Sequence, residues 1–356
     1  MLPMIPIINR HMSESNIKFS IILPKSENLQ ALFIRSNWAH FIDPFNYSYV
    51  ETASSTHCPA IRFSNADEQF RAVDKILSII LNSADVSPDS IRAIEWSLNE
   101  ITDNVLNHAG DGVSGYVQCT WFREKNIVEF VVADSGIGIP ASLREKDNCL
   151  ALERAIQEGV TRDRQTNQGN GLYGSYRIAQ VARGSFSLVS HMAVLNHLPD
   201  GEVRIRPSKT PYAGTCVLWN MNTTQSEILS EALIFSGQSH EPSFDFVERL
   251  SGDSGLLHIG LKAAFPSLGS RTAGDKVHIY LRNLLKSDRI LGVDVDFAGV
   301  NIISSSFAEE VFGRLFVELG PIGFMTRVKL TNAGPQILGL IDRAIIQRSA
   351  STTPIR

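Results

Sequence analysis

The sequence predicts an α+β protein, in which a mixed sheet carries helices on one face and a smaller α/β unit follows. Apolar residues recur at steps of three and four through residues 64–83 and 88–108, which is the period of amphipathic helices. Residues 115–121 and 126–133 alternate instead, as paired strands do. After residue 254, strand and helix patterns alternate again, which indicates a second, smaller unit.

Length and composition limit the classes of function. The 356 residues suffice for two or three domains at roughly 100–200 residues each. A net charge of −4 gives no overall basic field for nucleic acid. No apolar run reaches the roughly 18–20 residues that cross a bilayer, and residues 1–8 make a poor signal peptide. Four widely spaced cysteines fit reduced thiols. We therefore expect a cytoplasmic protein with no membrane partner and no strong signal for nucleic acid, a local basic patch being left open.

The elements follow in order along the chain. Residues 1–63 have no clear period and no assigned role, apart from a strand at 19–23 and a short helix or strand at 29–34. The unit over 64–222 is predicted from helices at 64–83, 88–108, 150–158 and 171–183, and from strands at 115–121, 126–133, 185–191, 202–206 and 215–220. Residues 223–253 are expected to be a connector with a helix at 226–235 and a polar break after it. The unit over 254–348 is predicted from strands at 256–261, 290–297 and 326–330, and from helices at 272–285, 306–319 and 334–347, of which 277–281 also fits a strand.

The helix over 88–108 carries the first chemical motif. Pro88 suits a first helical turn, and the apolar stripe predicts one buried face. Glu100, Asn104 and His108 lie on a neighbouring stripe, each four residues from the next. A carboxylate at Glu100 can accept a proton from an attacking water or hydroxyl, and the amide oxygen of Asn104 can bind Mg²⁺. His108 is the weaker candidate, because a histidine at a helix end is more often structural.

Two glycine motifs complete the pattern. Asp134 ends the strand over 126–133, where a buried carboxylate can accept a hydrogen bond from an exocyclic amine such as that of adenine. Gly136 and Gly138 follow at once and let the backbone approach the ring. Gly169-Asn-Gly171-Leu-Tyr-Gly174 opens the helix over 171–183, where backbone N–H groups can meet phosphate oxygens. Each motif alone is weak, but their order along the chain predicts a nucleotide site.

These motifs resemble the GHKL superfamily of ATP-binding domains, which includes gyrase, heat-shock chaperones, MutL, histidine kinases and anti-sigma-factor serine kinases. The resemblance covers about 64–222 and implies the Bergerat fold, a two-layer α/β sandwich that binds ATP with Mg²⁺. It implies that Glu100 is the general base, Asn104 the magnesium ligand and Asp134 the residue that reads adenine. The further nucleotide contacts that it implies are Gly136, Gly138, Gly169, Gly171, Leu172, Gly174 and, in the Gly214-Thr215 pair, Thr215.

The resemblance also implies an ATP lid over 141–170. Arg162 and Arg164 in that lid could meet the γ-phosphate, as cations do in phosphoryl transfer, or simply belong to a solvated loop. Glu100-x-x-Asp103-Asn104 is similar to the gyrase and MutL form, whereas Asn-His-Ala at 107–109 and Gly-Ile-Pro at 138–140 are similar to the kinase branches. No helix pair with a phosphoacceptor histidine precedes the domain, which argues against a complete histidine kinase.

The segment 292–312 resembles STAS-like domains, the fold of anti-sigma-factor antagonists, and the resemblance extends over about 254–348. It places Ser305 at the phosphoacceptor position. Ser304 and Phe307 depart from the aspartate and glycine that the antagonists have there. The competing interpretation is structural, because Ser306-Phe-Ala-Glu309 has the spacing of a capping box at a helix start.

The sequence thus predicts an ATP-binding regulatory or signalling protein. In the kinase form it phosphorylates a serine of a STAS-type partner or of its own tail, and it controls another protein, such as a transcription regulator, by sequestration. The alternative is an ATP-gated clamp of the gyrase or MutL type, a homodimer that hydrolyses ATP with Glu100 as base. A third hypothesis keeps ATP as a structural ligand of a non-catalytic scaffold.

Overall fold

The computed structural model describes residues 1–51, 54, 56–110, 112–160, 169–242, 245–251, 255–265, 267–287 and 290–352. The chain divides into two compact units. Unit 1 comprises Met1–Ile80 and Asp89–Pro242, and unit 2 comprises Leu81–Pro88 and Ser243–Arg356. Within the described ranges, no helix is both long and apolar enough to span a membrane.

Unit 1 combines one large sheet with helices. In chain order its elements are α1 (Met4–Glu14), α2 (Glu27–Arg35), α3 (Trp38–Ile42), β1 (His57–Phe63), α4 (Ala66–Ser83), α5 (Pro88–His108), β2 (Gly115–Phe122), β3 (Ile127–Ala133), α6 (Gly138–Ser142), α7 (Asn148–Ala155), α8 (Gly171–Val181), β4 (Ser185–His197), β5 (Val203–Asn222), α9 (Ile228–Ala232), β6 (Ile234–Phe235) and β7 (Gln238–Ser239). Residues Leu81–Pro88, which comprise the C-terminal end of α4, the link after it and the first residue of α5, belong to unit 2.

The large sheet has the strand order β1-β2-β3-β5-β4, and each neighbouring pair is antiparallel. The predicted α+β class is confirmed, but the expectation of a mixed sheet is wrong. Short connections join β2 to β3 and β4 to β5, and such hairpins can only make antiparallel pairs. The strands expected at 202–206 and 215–220 are one long strand, β5, because β4 extends to His197 and pairs with both parts of it, with register shifts between Ser190 and Ala193.

Helices cover both faces of this sheet, which corrects the expectation of one covered face. On one face, α5 buries its predicted stripe, and Trp219 of β5 donates from Nε1 to the carbonyl of Ser175 in α8 at 2.9 Å. On the other face, Ile5 and Phe41 of the N-terminal helices pack against Tyr116 of β2.

The N-terminal segment is therefore part of unit 1. Residues 16–24 form no regular element, so the strand expected at 19–23 is wrong, and residues 29–34 lie within α2. β1 adds an edge strand that pairs with β2. The helix α3 was not predictable from periodicity, because it spans only five residues.

Unit 2 is a small α/β layer whose sheet has the order β10-β9-β8 with parallel pairs. Its elements are α10 (Asp245–Leu250), β8 (Leu256–Gly260), α11 (Leu261–Ala264), α12 (Arg271–Leu285), β9 (Gly292–Asp296), α13 (Ser305–Ala308), a π-helical turn (Glu309–Gly313), α14 (Arg314–Arg327), β10 (Val328–Thr331) and α15 (Pro335–Thr352). The ambiguous stretch at 277–281 is helical, within α12. Val293 and Val295 of β9 and Leu281 of α12 are fully buried in its core.

The serine turn before α13 differs from the predicted capping box. The N-cap is Ser304, whose backbone is extended (φ −83°, ψ 157°) and whose Oγ accepts from the Phe307 N–H at 3.0 Å. Ser306 is therefore not the cap, although its hydroxyl lies 3.0 Å from that of Ser304. Ser305 is exposed in the first helical position.

Candidate functional site

A cavity of about 470 Å³ in unit 1 lies among α5, the end of β3, residues 215 and 217 within β5, and the segments that open α6 and α8. This volume is within the range of small-molecule sites, roughly 300–1,000 Å³. The predicted site residues that line it are Glu100, Asn104, Asp134, Gly138, Gly169, Gly171, Leu172 and Thr215, with His108 beside them. Gly136 and Gly174 stand behind the cavity wall rather than in it.

Helix α5 brings Glu100 against the start of α8. A Cβ built on Gly171 would lie 2.0 Å from Oε2 of Glu100, so the carboxylate and the first turn of α8 are in direct contact. Burial, together with the nearby charge of Asp103, raises the pKa of Glu100 to about 7. A carboxylate with such a pKa exchanges protons near neutral pH, as a general base requires.

Two more residues of α5 complete this side of the cavity. Asp103 accepts a hydrogen bond from Nε2 of Gln69 at 2.8 Å, and the same Nε2 lies 2.8 Å from Oγ1 of Thr102. Asn104 lines the cavity, and within the described residues its amide has no hydrogen-bond partner. Its oxygen is therefore available to a ligand or a hard cation.

Asp134 is held by backbone at the end of β3. It is 4% exposed, and its Oδ1 accepts from the Gly136 N–H at 2.7 Å. Its own N–H donates to the Thr215 carbonyl at 2.9 Å, and its carbonyl accepts from the Tyr212 hydroxyl at 3.1 Å. Burial raises the pKa of Asp134 to about 6, although hydrogen bonds from the Gly136 and Thr215 backbone oppose the rise. The carboxylate is thus fixed in position while it lines the cavity.

The glycines after Asp134 are required by close packing. Gly138 has a φ of +72°, and a Cβ there would lie 2.4 Å from the ring of His191. A Cβ on Gly136 would lie 2.3 Å from the carbonyl oxygen of Ala109, just after α5. Gly136 therefore joins the Asp134 turn to the end of α5 and positions the carboxylate, instead of lining the cavity.

The start of α8 presents backbone N–H groups to the cavity. Its N-cap residue, Asn170, makes no side-chain cap, and Oδ1 of Asn170 accepts from the Gly159 N–H at 3.1 Å instead. The Asn170 side chain thus leaves the first N–H groups of α8 open, where Gly171 and Leu172 line the cavity. Such a helix start favours an anionic group.

The cavity wall includes residues that were not predicted, among them Trp96, Phe235 and His240. Trp96 lies one helical turn before Glu100. Phe235 and His240 come from the expected connector, whose polar break is in fact the β6–β7 hairpin. The available signal was Ser236-Gly237, because both residues have positive φ (49° and 78°), as a two-residue hairpin turn requires.

The predicted lid lies partly outside the described residues. Arg162 and Arg164 fall there, while residues 148–155 form α7, which Asp147 caps through Oδ1. Val160, near the end of the described stretch, lines the cavity.

Residues 63–181 match the histidine kinase-like ATPase domain, and residues 274–338 match a STAS-like domain of unknown function. The chain carries a GHKL-type ATPase domain and a C-terminal STAS-like domain. No curated protein matches it as a relative. The ATPase match ends at the end of α8, so Thr215 and the β6–β7 hairpin reach the cavity from outside the matched residues. This pair of domains indicates an ATP-binding regulatory protein.

Proposed function

We propose that this protein is an ATP-dependent serine kinase that phosphorylates a STAS-type partner or its own STAS-like domain. The observation that supports it is one cavity in unit 1 that gathers Glu100, Asn104 and Asp134 with the start of α8, where Asn170 makes no side-chain cap. These are an acid–base group, an oxygen ligand, a buried acceptor and an anion site. A nucleoside triphosphate uses all four.

In this proposal the adenine lies at the Asp134 end, where the carboxylate accepts from the exocyclic amine. Apolar side chains such as Val132, Val217 and Ile139 line the same cavity and would contact the ring. The phosphates extend to Gly169–Leu172 at the start of α8. Gly138 and Gly171 both line the cavity and present only backbone to a ligand there. Asn104 would hold Mg²⁺ through its amide oxygen, and the ion would screen the phosphate charge.

The proposed chemical step uses Glu100 as general base. Its carboxylate takes the proton of the serine hydroxyl as the serine oxygen forms a bond to the γ-phosphorus. The bond from that phosphorus to the β–γ bridging oxygen breaks, and the electron pair leaves with ADP. The products are phosphoserine and ADP, and Glu100 then releases its proton to solvent.

Ser305 is the proposed acceptor on this chain. Its residue is exposed, and the capping hydrogen bond of α13 is made by Ser304. The Ser305 hydroxyl is therefore not needed to hold the turn. Phosphorylation would add negative charge at a helix start, where charge of that sign is tolerated.

A hydrolytic clamp is the second candidate, and Asp103 favours it. Asp103 lines the cavity beside Glu100 and raises the Glu100 pKa. In that case water takes the place of the serine hydroxyl, and ATP binding drives dimerisation.

The fate of the γ-phosphate distinguishes these functions. The full chain is incubated with ATP labelled at the γ-phosphate, alone and with a purified STAS-type protein, alongside Glu100→Gln and Ser305→Ala. The kinase proposal expects label on protein that disappears in Glu100→Gln and, for self-phosphorylation, in Ser305→Ala. Released phosphate with no labelled protein, together with ATP-dependent dimerisation, would support the clamp instead. ATP that stays bound for hours without turnover would support the scaffold.

A further inference from the structure

The β6–β7 hairpin is a wall of the cavity that the proposed chemistry does not use. Phe235 and His240 line the cavity from this hairpin, although both lie beyond the matched ATPase residues. The N–H of His240 donates to the Leu233 carbonyl at 2.8 Å, which closes the base of the hairpin.

The hairpin lies beside the phosphate end of the cavity. A Cβ on Gly174, in the first turn of α8, would lie 2.2 Å from the ring of Trp96 and 3.0 Å from Cδ2 of Leu233. The rings of Tyr173 and Phe235 are 6.2 Å apart. Since Tyr173 and Gly174 belong to the same first turn of α8 as Gly171, the hairpin base packs against the turn whose N–H groups would hold phosphate.

The tip of the hairpin is attached to the same region. The backbone N–H of Ser236 donates to Oε1 of Glu158 at 2.5 Å, and its hydroxyl donates to the same oxygen at 3.2 Å. Glu158 precedes Gly159, whose N–H is held by Asn170 at the start of α8. The hairpin is thus connected to α8 at its base through Leu233 and at its tip through Glu158.

His240 is the polar side chain that the hairpin presents to the cavity. Its residue is exposed, its ring packs 5.8 Å from that of Phe235, and within the described residues the ring makes no hydrogen bond. An imidazole always carries at least one N–H donor, and phosphate oxygens are strong acceptors. With the adenine at the Asp134 end and the phosphates at the start of α8, as proposed above, a donor on this hairpin would meet the last phosphate of a triphosphate before any part of a diphosphate.

We propose that His240 binds the terminal phosphate of the nucleoside triphosphate, and that the β6–β7 hairpin thereby makes the site prefer a triphosphate to a diphosphate. Glu158 is a positioning residue in this device, because it acts only through the hairpin. The inference rests on the proposed function, since it requires that ATP occupy the cavity with its phosphates at α8.

The test compares affinities of the full chain for a non-hydrolysable ATP analogue and for ADP, measured by calorimetry with Mg²⁺. His240→Ala should weaken the analogue about tenfold, the value of one hydrogen bond to a charged group, and change ADP less than twofold. His240→Asn keeps a donor and should recover part of the loss. Ile234→Ala is the matched control, because Ile234 is 44% exposed on the same hairpin and does not line the cavity.

The positioning role is tested by two variants of Glu158. Glu158→Ala removes the acceptor for Ser236 and should lower the analogue affinity as His240→Ala does, whereas Glu158→Gln keeps an acceptor oxygen and should restore that affinity.

Equal loss of affinity for the ATP analogue and for ADP in His240→Ala, or no change in either affinity, would overturn the His240 assignment and leave ATP binding intact. A wild-type chain that binds neither nucleotide would overturn the proposed function as well.

Discussion

Replacing Asp134 with asparagine should make unit 1 more stable and its nucleotide site weaker. Burial raises the pKa of Asp134 from an ordinary 3.8 to about 6. That difference corresponds to roughly 3 kcal/mol of folding free energy, which the ionised carboxylate costs at pH 8. The introduced amide removes this cost but accepts backbone hydrogen bonds less strongly, which returns about 1 kcal/mol. We expect a net gain of about 2 kcal/mol at pH 8.

The sign of the pH dependence follows from the raised pKa. Above about pH 6 the folded wild-type protein must hold a charged Asp134, so the variant has its full advantage. As the pH falls from 6 towards 4, the folded wild type takes up a proton at Asp134 and the advantage disappears. Urea unfolding at pH 8 and pH 5, followed by tryptophan fluorescence, measures this directly. All four tryptophans lie in unit 1, so the signal reports on that unit alone.

Nucleotide binding should change in the opposite direction. The Gly136 N–H needs an acceptor, so the oxygen of the introduced amide must face Gly136 and its NH₂ must face the cavity. That NH₂ would oppose the amine of adenine, and ATP affinity should fall roughly 10- to 100-fold. Inosine triphosphate, which has a carbonyl in place of the amine, should lose much less. Unchanged ATP affinity, or a stability gain as large at pH 5 as at pH 8, would refute the reasoning.

Three further predictions concern the chemistry and the serine turn. Turnover should rise with pH through about 7 and level off above 8, because Glu100 acts as a base only when it is deprotonated. Glu100→Gln should lower kcat at least about 100-fold and leave the ATP affinity nearly unchanged. A pH profile that is flat from 6 to 8 would exclude Glu100 as the base. Gly171→Ala places a methyl 2.0 Å from the Glu100 carboxylate and should displace it, so kcat should fall about 100-fold. The melting temperature should hold or rise, because alanine favours a helix over glycine. Wild-type turnover in this variant would contradict the contact between Gly171 and Glu100. Ser304→Ala should cost unit 2 about 1 kcal/mol in urea unfolding followed by circular dichroism, and Ser305→Ala almost nothing, since only Ser304 caps α13. Equal costs for both serines would show that the cap is misassigned.

The parts of the site that were predictable depend on local geometry. Glu100 and Asn104 share a helix face because residues four apart always do, and the apolar stripe of α5 identified its buried side. Asp134 lies at the end of β3 because an alternating run stops there at a glycine turn. Neither inference needed knowledge of a distant residue.

The elements that were predicted wrongly depend on contacts between residues far apart in sequence, or on a choice between residues that are equally suited to one role. Ser304 and Ser306 are both able to cap a helix, and the extended backbone of Ser304 decided between them. The hairpin at 234–239 has strands of two residues, too short for any period to be visible. The segment before β1 forms short helices that are stable because Tyr116 and its neighbours on the sheet cover them.

The sequence by itself determined the class of fold, the two families, and the order of the motifs that converge on one cavity. Those properties follow from the helix and strand periods and from motifs whose residue types and spacing are typical of few folds. Only the tertiary structure decided that the sheet is antiparallel with both faces covered, that Gly136 supports Asp134 from behind, and that Phe235 and His240 join the cavity. These depend on side chains far apart in sequence that meet only after the sheet has formed, and no local period encodes such a meeting.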